Sequence, residues 1–515
     1  MTIMAKQTKT KGKVYLVGAG PGRMDLITVR GLELLKKADC IICDKLVNPA
    51  LLDHVRPDAE ILNVPKRIGD GSFTQTQINK LLVKRAAAGR TVVRLKGGDP
   101  CIFGRGAEEA KILADAGVDF EIVPGVTAAI AAGEYAGIML TDRNYSSQVV
   151  FVTGREAQGK KTSSIDWHLL ARFNGTVVFY MGLENADYIT GNLLKNGSSP
   201  DTPAALVSNA TKPSQKTVKT TLGRLIKDAK RYGVESPAIL VIGTAAKGQA
   251  GLNWFECQPL FGQNIVVCRD EKGNYDFAAK IIESGGNPVV FDNITIESLM
   301  DKTTVSKIIR ELPSFDWVVF TSKNGVSLFF DALKISGRDA RVFGHAKIAV
   351  VGSITADELA GYGLRADFVP TVFTTEQLGR QMLKSQGLKG SKVLLLRSKR
   401  ASGQLADILR KGGAIVEDKD IYTVRTKKSD SGQLKQQITS GSIDWLTFTS
   451  SSAAAAFFGH VSAKTVNSSK AKVASIGPMT TEELKKLGIK IDLEAKEHTI
   501  DGLLEAMVAR RRRGG

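Results

Sequence analysis

A multidomain α/β protein with mostly parallel sheets is the fold this sequence predicts, on two observations. Short β-branched runs alternate with helical patterns along the chain, as in VYLVGAG, ADCIICD, TVVRLKGGDP, DFEIVPGV, QVVFVTG and GTVVFYMG, then PAALVSN and SPAILVIG. That alternation places helices on the faces of parallel sheets. Near the C-terminus one unit is written twice. DWVVFTSKNGVSLFF (Asp316 to Phe330) precedes VVGSITADELAGYG, and DWLTFTSSSAAAAFF (Asp444 to Phe458) precedes ASIGPMTTEELKKLG. Two α/β units of equal design face each other across a cleft, with their Thr/Ser turns at the strand ends that line it. A cleft lined with hydroxyls suits a large polyanion.

Taken in order, the elements begin with a polar, basic leader over residues 1–11 that lacks an apolar core. No stretch reaches the roughly 18 apolar residues of a membrane span, so a cytoplasmic protein is expected. The first strand runs into Gly18-Ala19-Gly20-Pro21-Gly22. This is a poor dinucleotide loop, because Pro21 removes a backbone donor and Arg23 stands where GxGxxG needs its third glycine. Cys40 and Cys43 have CxxC spacing but lie in an apolar strand without a second Cys or His pair. They are expected in the core, with no metal. A second strand ends at Lys96-Gly97-Gly98-Asp99-Pro100, with Phe103-Gly104-Arg105-Gly106 just after. A third ends at Pro124-Gly125-Val126-Thr127-Ala128, where the Thr127 hydroxyl is expected to cap a helix. Three strand-to-glycine turns in one domain are explained most simply if their backbones approach one flat ligand.

Thr141-Asp142-Arg143 then turns the chain into a second subdomain. The segment Gly243 to Gln263 carries neither period and reads as a linker, with a boundary near residue 260. After it the pattern restarts at NIVVCRD, and a third unit, KVLLLRSKRASGQLADILRKGGAIVEDKDIYTV, separates the repeats. Which copy shares a sheet with strand 263–269 stays open.

Composition narrows the function. A net charge of +19 calls for an anionic partner: nucleic acid, a membrane, or a multiply charged small molecule. Aromatic residues at 6% show no stacking pattern, against a single-strand binder. Arg510 to Arg513 are expected in a solvated tail over 509–515. Five cysteines, irregularly spaced, read as reduced thiols.

GAGPG, RLKGGDPCIFGRGAEEA, VPGVTAAIAAGEYAGIMLTDR and VVFYMG, in this order and spacing, resemble uroporphyrinogen-III C-methyltransferase over roughly residues 12 to 245. The resemblance implies the tetrapyrrole methylase fold of two α/β subdomains, use of S-adenosylmethionine without a metal, and a homodimer formed through this half. It implies a cofactor site of Pro21, Gly97, Gly98, Asp99, Ile102, Thr127, Ala128, Met181 and Ala210. By the same analogy Asp44 is the proton acceptor and Lys66 the donor, while Arg105, Glu108 and Arg143 position substrate. A forked guanidinium suits carboxylates, so Glu108 is expected to orient an arginine.

Residues 263–508, with FTSKNGV, VGSITADEL, IYTV, FTSSSAA and SIGPMTTEEL, resemble uroporphyrinogen-III synthase. That resemblance implies two α/β lobes joined by a pair of strands, lobe one from 263–292 with 426–508 and lobe two from 297–421. It implies Tyr422 as the residue that assists departure of hydroxide, and Ser322, Thr355, Ser398, Ser450 and Thr480 as contacts to substrate carboxylates. The two resemblances join in one expectation: a bifunctional enzyme that closes hydroxymethylbilane and methylates the product twice to precorrin-2, on the route to sirohaem or cobalamin. Its substrates are polycarboxylates, which accounts for the charge better than nucleic acid or a membrane does.

Overall fold

The structure, a computed structural model, describes residues 12–64, 73–156, 163–268, 271–426 and 431–514. It divides into two compact units, one holding the chain up to Gln263 with Ile281–Asn287, the other Asn264–Lys280 with everything from Pro288 on.

The first sheet contains β1 (Val14–Gly18), β2 (Cys40–Cys43), β3 (Glu60–Asn63), β4 (Val92–Lys96) and β5 (Phe120–Val123), in the order β3-β2-β4-β1-β5 and all parallel. Its central strands are apolar because both faces are covered. Successive residues serve opposite cores: Leu16, Cys40 and Ile42 pack with Ile78 and Leu82, while Val17, Ile41 and Cys43 pack with Leu34 and Leu35.

The second sheet corrects the expectation of parallel strands. It contains β6 (Val149–Thr153), β7 (Thr176–Tyr180), β8 (Pro203–Ser208), β9 (Lys216–Thr221) and β10 (Ala238–Ile242), in the order β6-β7-β10-β8-β9. Only β6 and β7 pair in parallel, whereas β10 is antiparallel to both its neighbours and β8 to β9. The connection from β8 to β9 is a short turn over residues 209–215, which only an antiparallel pair allows. The helix Ala128–Tyr135 lies on this sheet, where Ala129, Ala132 and Ala136 meet Val178, Ala205 and Val207.

Residues 246–262, within the segment expected as a linker, are tied to the same subdomain. Phe255 is buried, Trp254 and Phe255 each sit 4.8 Å from the Tyr135 ring, and Glu256 accepts hydrogen bonds from Gln215 and Thr217. Aromatic packing supplied what periodicity did not show.

The remaining strands are β11 (Asn264–Cys268), β12 (Asn287–Val290), β13 (Ile294–Ser298), β14 (Trp317–Phe320), β15 (Lys347–Val350), β16 (Lys392–Ser398), β17 (Ile415–Thr426), β18 (Trp445–Phe448), β19 (Lys472–Ser475) and β20 (Leu493–Glu494). They form two sheets, ordered β12-β11-β18-β19-β20 and β13-β17-β16-β14-β15. Strand β11 pairs with β18, so it belongs with the second copy of the repeat. The crossing segments β13 and β17 pair antiparallel, from Ile294 opposite Thr426 to Ser298 opposite Tyr422. The copies match at the base of each sheet. Asp316 accepts from Lys392 N–H at 2.7 Å and Asp444 from Asn264 N–H at 2.8 Å, and Lys347 and Lys472 each lie 5.5 Å from a tryptophan ring.

The expected C-terminal tail is instead the end of a helix, Ile500–Gly514, with Arg510 beside Asp492. Arginines near a helix C-terminus are favoured by its dipole.

Cys40, Cys43 and Cys268 are buried, whereas Cys101 and Cys257 are exposed. Burial pushes the Cys40 and Cys43 thiols up to about 11, from 9.0. A thiol reagent at about pH 8 is expected to label Cys101 and Cys257 and to spare the other three until the chain unfolds, read by peptide mass spectrometry. Between pH 9 and about 11 the unfolded chain loses these protons while the folded one keeps them, so stability falls as pH rises through that window.

Candidate active sites

The three glycine turns of the first half converge. Ala19 N–H donates to Lys96 O at 2.7 Å, Gly98 N–H to Gly20 O at 2.7 Å and Gly20 N–H to Gly98 O at 3.2 Å. A Cβ on Gly18 would fall 2.6 Å from Gly125 Cα, and one on Gly125 would fall 2.8 Å from Gly18 Cα. The glycines at 18 and 125 are therefore required by the approach of turn to turn. The Asp99 carboxylate staples the second turn to the third, since Oδ1 accepts from Cys101 N–H (2.8 Å) and Ile102 N–H (3.2 Å) and Oδ2 from Gly125 N–H (3.0 Å).

Thr127 stands at the start of its helix, but its hydroxyl is not the cap. Its Oγ1 lies 2.6 Å from Tyr180 Oη, and it is the Tyr180 hydroxyl that accepts from Ala129 N–H at 3.1 Å. This draws Thr127, Ala128 and Met181 together. The turn holding Ala210 joins them through Thr211, whose Oγ1 accepts from Arg23 N–H at 3.1 Å, two residues past Pro21. All nine residues expected at the cofactor site thus lie on mutually bonded turns.

Backbone strain marks the same place. Phe103, Arg105, Met181, Asn209 and Thr211 have φ between 48° and 69°, and all belong to these turns or the loop after them. Such conformations persist where the surroundings over-determine them, typically at binding sites. Ile102 and Met181 nevertheless leave their apolar side chains exposed.

Asp44 directly follows β2, and its carboxylate receives the Arg94 guanidinium. Arg94 also donates to Glu109 at 3.2 Å and to Ile42 O at 3.1 Å, and Lys96 donates to Glu109 at 3.0 Å. Arg94, Lys96 and Glu109 are completely or almost completely buried. Burial opposes the Arg94 charge, but Asp44 and Glu109 outweigh it and hold the group above its ordinary value. Burial and then Arg94 pull the Lys96 ammonium below its ordinary value. Sequence reasoning missed these residues, although two charges in the otherwise apolar run VVRLK were a signal. The Asp44 loop touches the glycine turns, for Asn48 Nδ2 donates to Gly22 O at 2.8 Å. Lys66 lies outside the described residues. Arg105 and Glu108 form an exposed two-point pair at 2.9 Å. Arg143 stands exposed in the turn closed by Asp142 and Ser146.

In the second half, Tyr422 Oη lies 2.7 Å from Ser322 Oγ, which also caps the helix Lys323–Ile335 through Gly325 N–H. Burial pushes the Tyr422 phenol up, against hydrogen bonds to Ser322 and Ser398. Ser398 sits at the irregularity where β16 slips against β17. Ser450 caps the helix Ser451–Phe458 in the equivalent place of the other copy. Thr355 and Thr480 are both 4% exposed, in the first turns of the helices Ser353–Ala360 and Pro478–Lys486, which Gly352 and Gly477 precede.

Residues 13–226 match the family model of tetrapyrrole (corrin/porphyrin) methylases, and residues 275–505 that of uroporphyrinogen-III synthase. A porphyrin biosynthesis protein of Ruminiclostridium josui is 35% identical over 96% of this chain and 98% of its own length. The uroporphyrinogen-III C-methyltransferase of Bacillus subtilis is 38% identical over 68% of this chain and 72% of its own. The S-adenosyl-L-methionine-dependent uroporphyrinogen III methyltransferase of Methanosarcina barkeri is 44% identical over 45% of this chain and 91% of its own. The chain therefore belongs to the family of porphyrin-biosynthesis proteins that join a tetrapyrrole methylase to a uroporphyrinogen-III synthase, and is an enzyme with a methyltransferase and a synthase activity in one polypeptide.

Proposed function

We propose that residues 263–508 close hydroxymethylbilane to uroporphyrinogen III and that residues 12–245 methylate that product twice to precorrin-2, on a route toward sirohaem or cobalamin. The observation that carries this reading is the convergence of the glycine turns beside the Asp44 loop. When bound, S-adenosylmethionine supplies an electrophilic methyl group. Pro21, Gly97, Gly98, Ile102, Thr127, Ala128, Met181 and Ala210 would hold it, with Asp99 as the staple beneath. Asp44 takes the proton that the macrocycle must give up for each methyl cation it gains, and Arg94 keeps that carboxylate oriented. Lys66 returns a proton to the product. Arg105 pairs a peripheral carboxylate of the tetrapyrrole, with Glu108 fixing its fork.

In the second half Tyr422, kept protonated by burial, donates to the departing hydroxyl of the bilane, while Ser322 and Ser398 hold the phenol in place. The rest of the ring closure belongs to the substrate, and the cleft holds it folded. Full-length protein given hydroxymethylbilane and S-adenosylmethionine is expected to develop the precorrin-2 chromophore. Asp44→Asn should slow methyl transfer by about 100-fold or more while uroporphyrinogen III still forms. Tyr422→Phe should slow ring closure. Formation of the type I isomer alone would remove the synthase reading, and a product carrying a single methyl would remove the second transfer.

A further inference from the structure

The turn between β8 and β9 carries a cation, Lys212, for which no counter-charge stands among the described residues. Its backbone is fixed from several sides: Thr211 N–H donates to Gln215 Oε1 at 2.9 Å, and buried Gln215 donates in turn to Tyr135 O at 3.0 Å and to Glu256 at 2.9 Å. Thr211, buried and β-branched, holds φ at 69°, a conformation such a residue adopts only under constraint. Next to it the Lys212 stem lies across the first glycine turn, with Cγ and Cε each 3.0 Å from where a Cβ on Gly22 would be. Glycine at 22 thus makes room for a lysine.

The charges around it are unequal. Arg23, on the same turn, is answered by Asp25. Among the described residues no carboxylate or carbonyl pairs the Lys212 ammonium, and burial alone pulls it below its ordinary value. A half-buried ammonium without a partner costs stability unless a ligand brings the anion. It stands two residues from Ala210 and against the turn of Pro21.

We propose that Lys212 is a ligand-positioning residue of the methyltransferase site, its ammonium holding a carboxylate of the bound molecule across Gly22. The inference rests on the glycine turns being that site. Two sources share the chemistry: the amino-acid carboxylate of S-adenosylmethionine and a peripheral carboxylate of the tetrapyrrole.

The test uses the full chain as wild type, Lys212→Gln and Lys212→Arg. S-adenosylhomocysteine affinity is read by calorimetry, and KM and kcat for uroporphyrinogen III by methyl transfer, at low and high salt. Loss of a charge-assisted hydrogen bond predicts about a tenfold effect in Lys212→Gln, largely regained in Lys212→Arg. A tenfold loss of S-adenosylhomocysteine affinity assigns the cofactor carboxylate. A tenfold rise in KM for uroporphyrinogen III, with kcat held and the difference shrinking in salt, assigns the tetrapyrrole. Unchanged values in both, or equal damage in both variants accompanied by a lowered melting temperature, overturn the inference. Wild-type protein that binds no S-adenosylhomocysteine would instead sink the site itself.

Discussion

Gly125→Val is expected to lower S-adenosylhomocysteine affinity by at least about 100-fold, or about 2.7 kcal/mol. The reason is steric and local. A Cβ at this position would meet the Gly98 carbonyl and the Gly18 backbone, not the yielding end of a side chain. Backbone on two sides cannot step aside, and overpacking of this kind typically costs about 1–3 kcal/mol before any ligand is considered. Separation of the second and third turns also breaks the Asp99 to Gly125 bond of 3.0 Å. Asp99→Ala removes that staple without adding bulk and should fall between the variant and wild type. Calorimetry of the full chain settles both, with type III isomer formation in the same preparation as the control for folding. Affinity within about threefold of wild type in Gly125→Val would show that the ligand does not sit on these turns.

Glu109→Ala should unfold the methyltransferase half more readily, by about 3–5 kcal/mol, because it leaves two buried cations without their shared carboxylate. Arg94 and Lys96 both donate to Glu109, at 3.2 and 3.0 Å, and Gln75 adds a third bond at 3.0 Å. Glu109→Gln keeps the shape and one acceptor but loses the charge, so it should fall between the two. Replacing Arg94, Lys96 and Glu109 together by apolar residues of similar volume should restore much of the loss, since a desolvated ion cluster is a weak source of stability. That triple variant would still lose methyl transfer, because Asp44 is then unanchored. Denaturant midpoints for the transition of the methyltransferase half measure the series, and a single-variant loss below about 1 kcal/mol would contradict it.

Much of the fold was legible because parallel strands covered on both faces must be apolar end to end, as VYLVG and CIIC are. The duplicated unit was legible as a copy down to its Asp-Trp opening. Strand direction in the second subdomain was not, because PAALVS and AILVI read alike whichever way they pair, and the brevity of the turn at 209–215 fixes only the pairing of PAALVS with the strand that follows it. The converging turns could be anticipated from their glycines, but the reason could not, since which backbone approaches which is a property of three segments at once. Arg94 and Glu109 lay fifteen residues apart on a strand and a helix, and nothing local ties them. The burial of Thr355 and Thr480 was not legible for a similar reason: a threonine inside a helix's first turn points inward or outward according to packing that its neighbours in sequence do not disclose.

The repeated unit keeps its Asp staple and its Lys over Trp at one end of each sheet. At the other end the copies have drifted, with Lys323-Asn324 against Ser451-Ser452 and Ser353-Ile354 against Pro478-Met479. A frame with matching foundations and unlike rims can tell head from tail in an unsymmetrical guest, which two identical halves could not do.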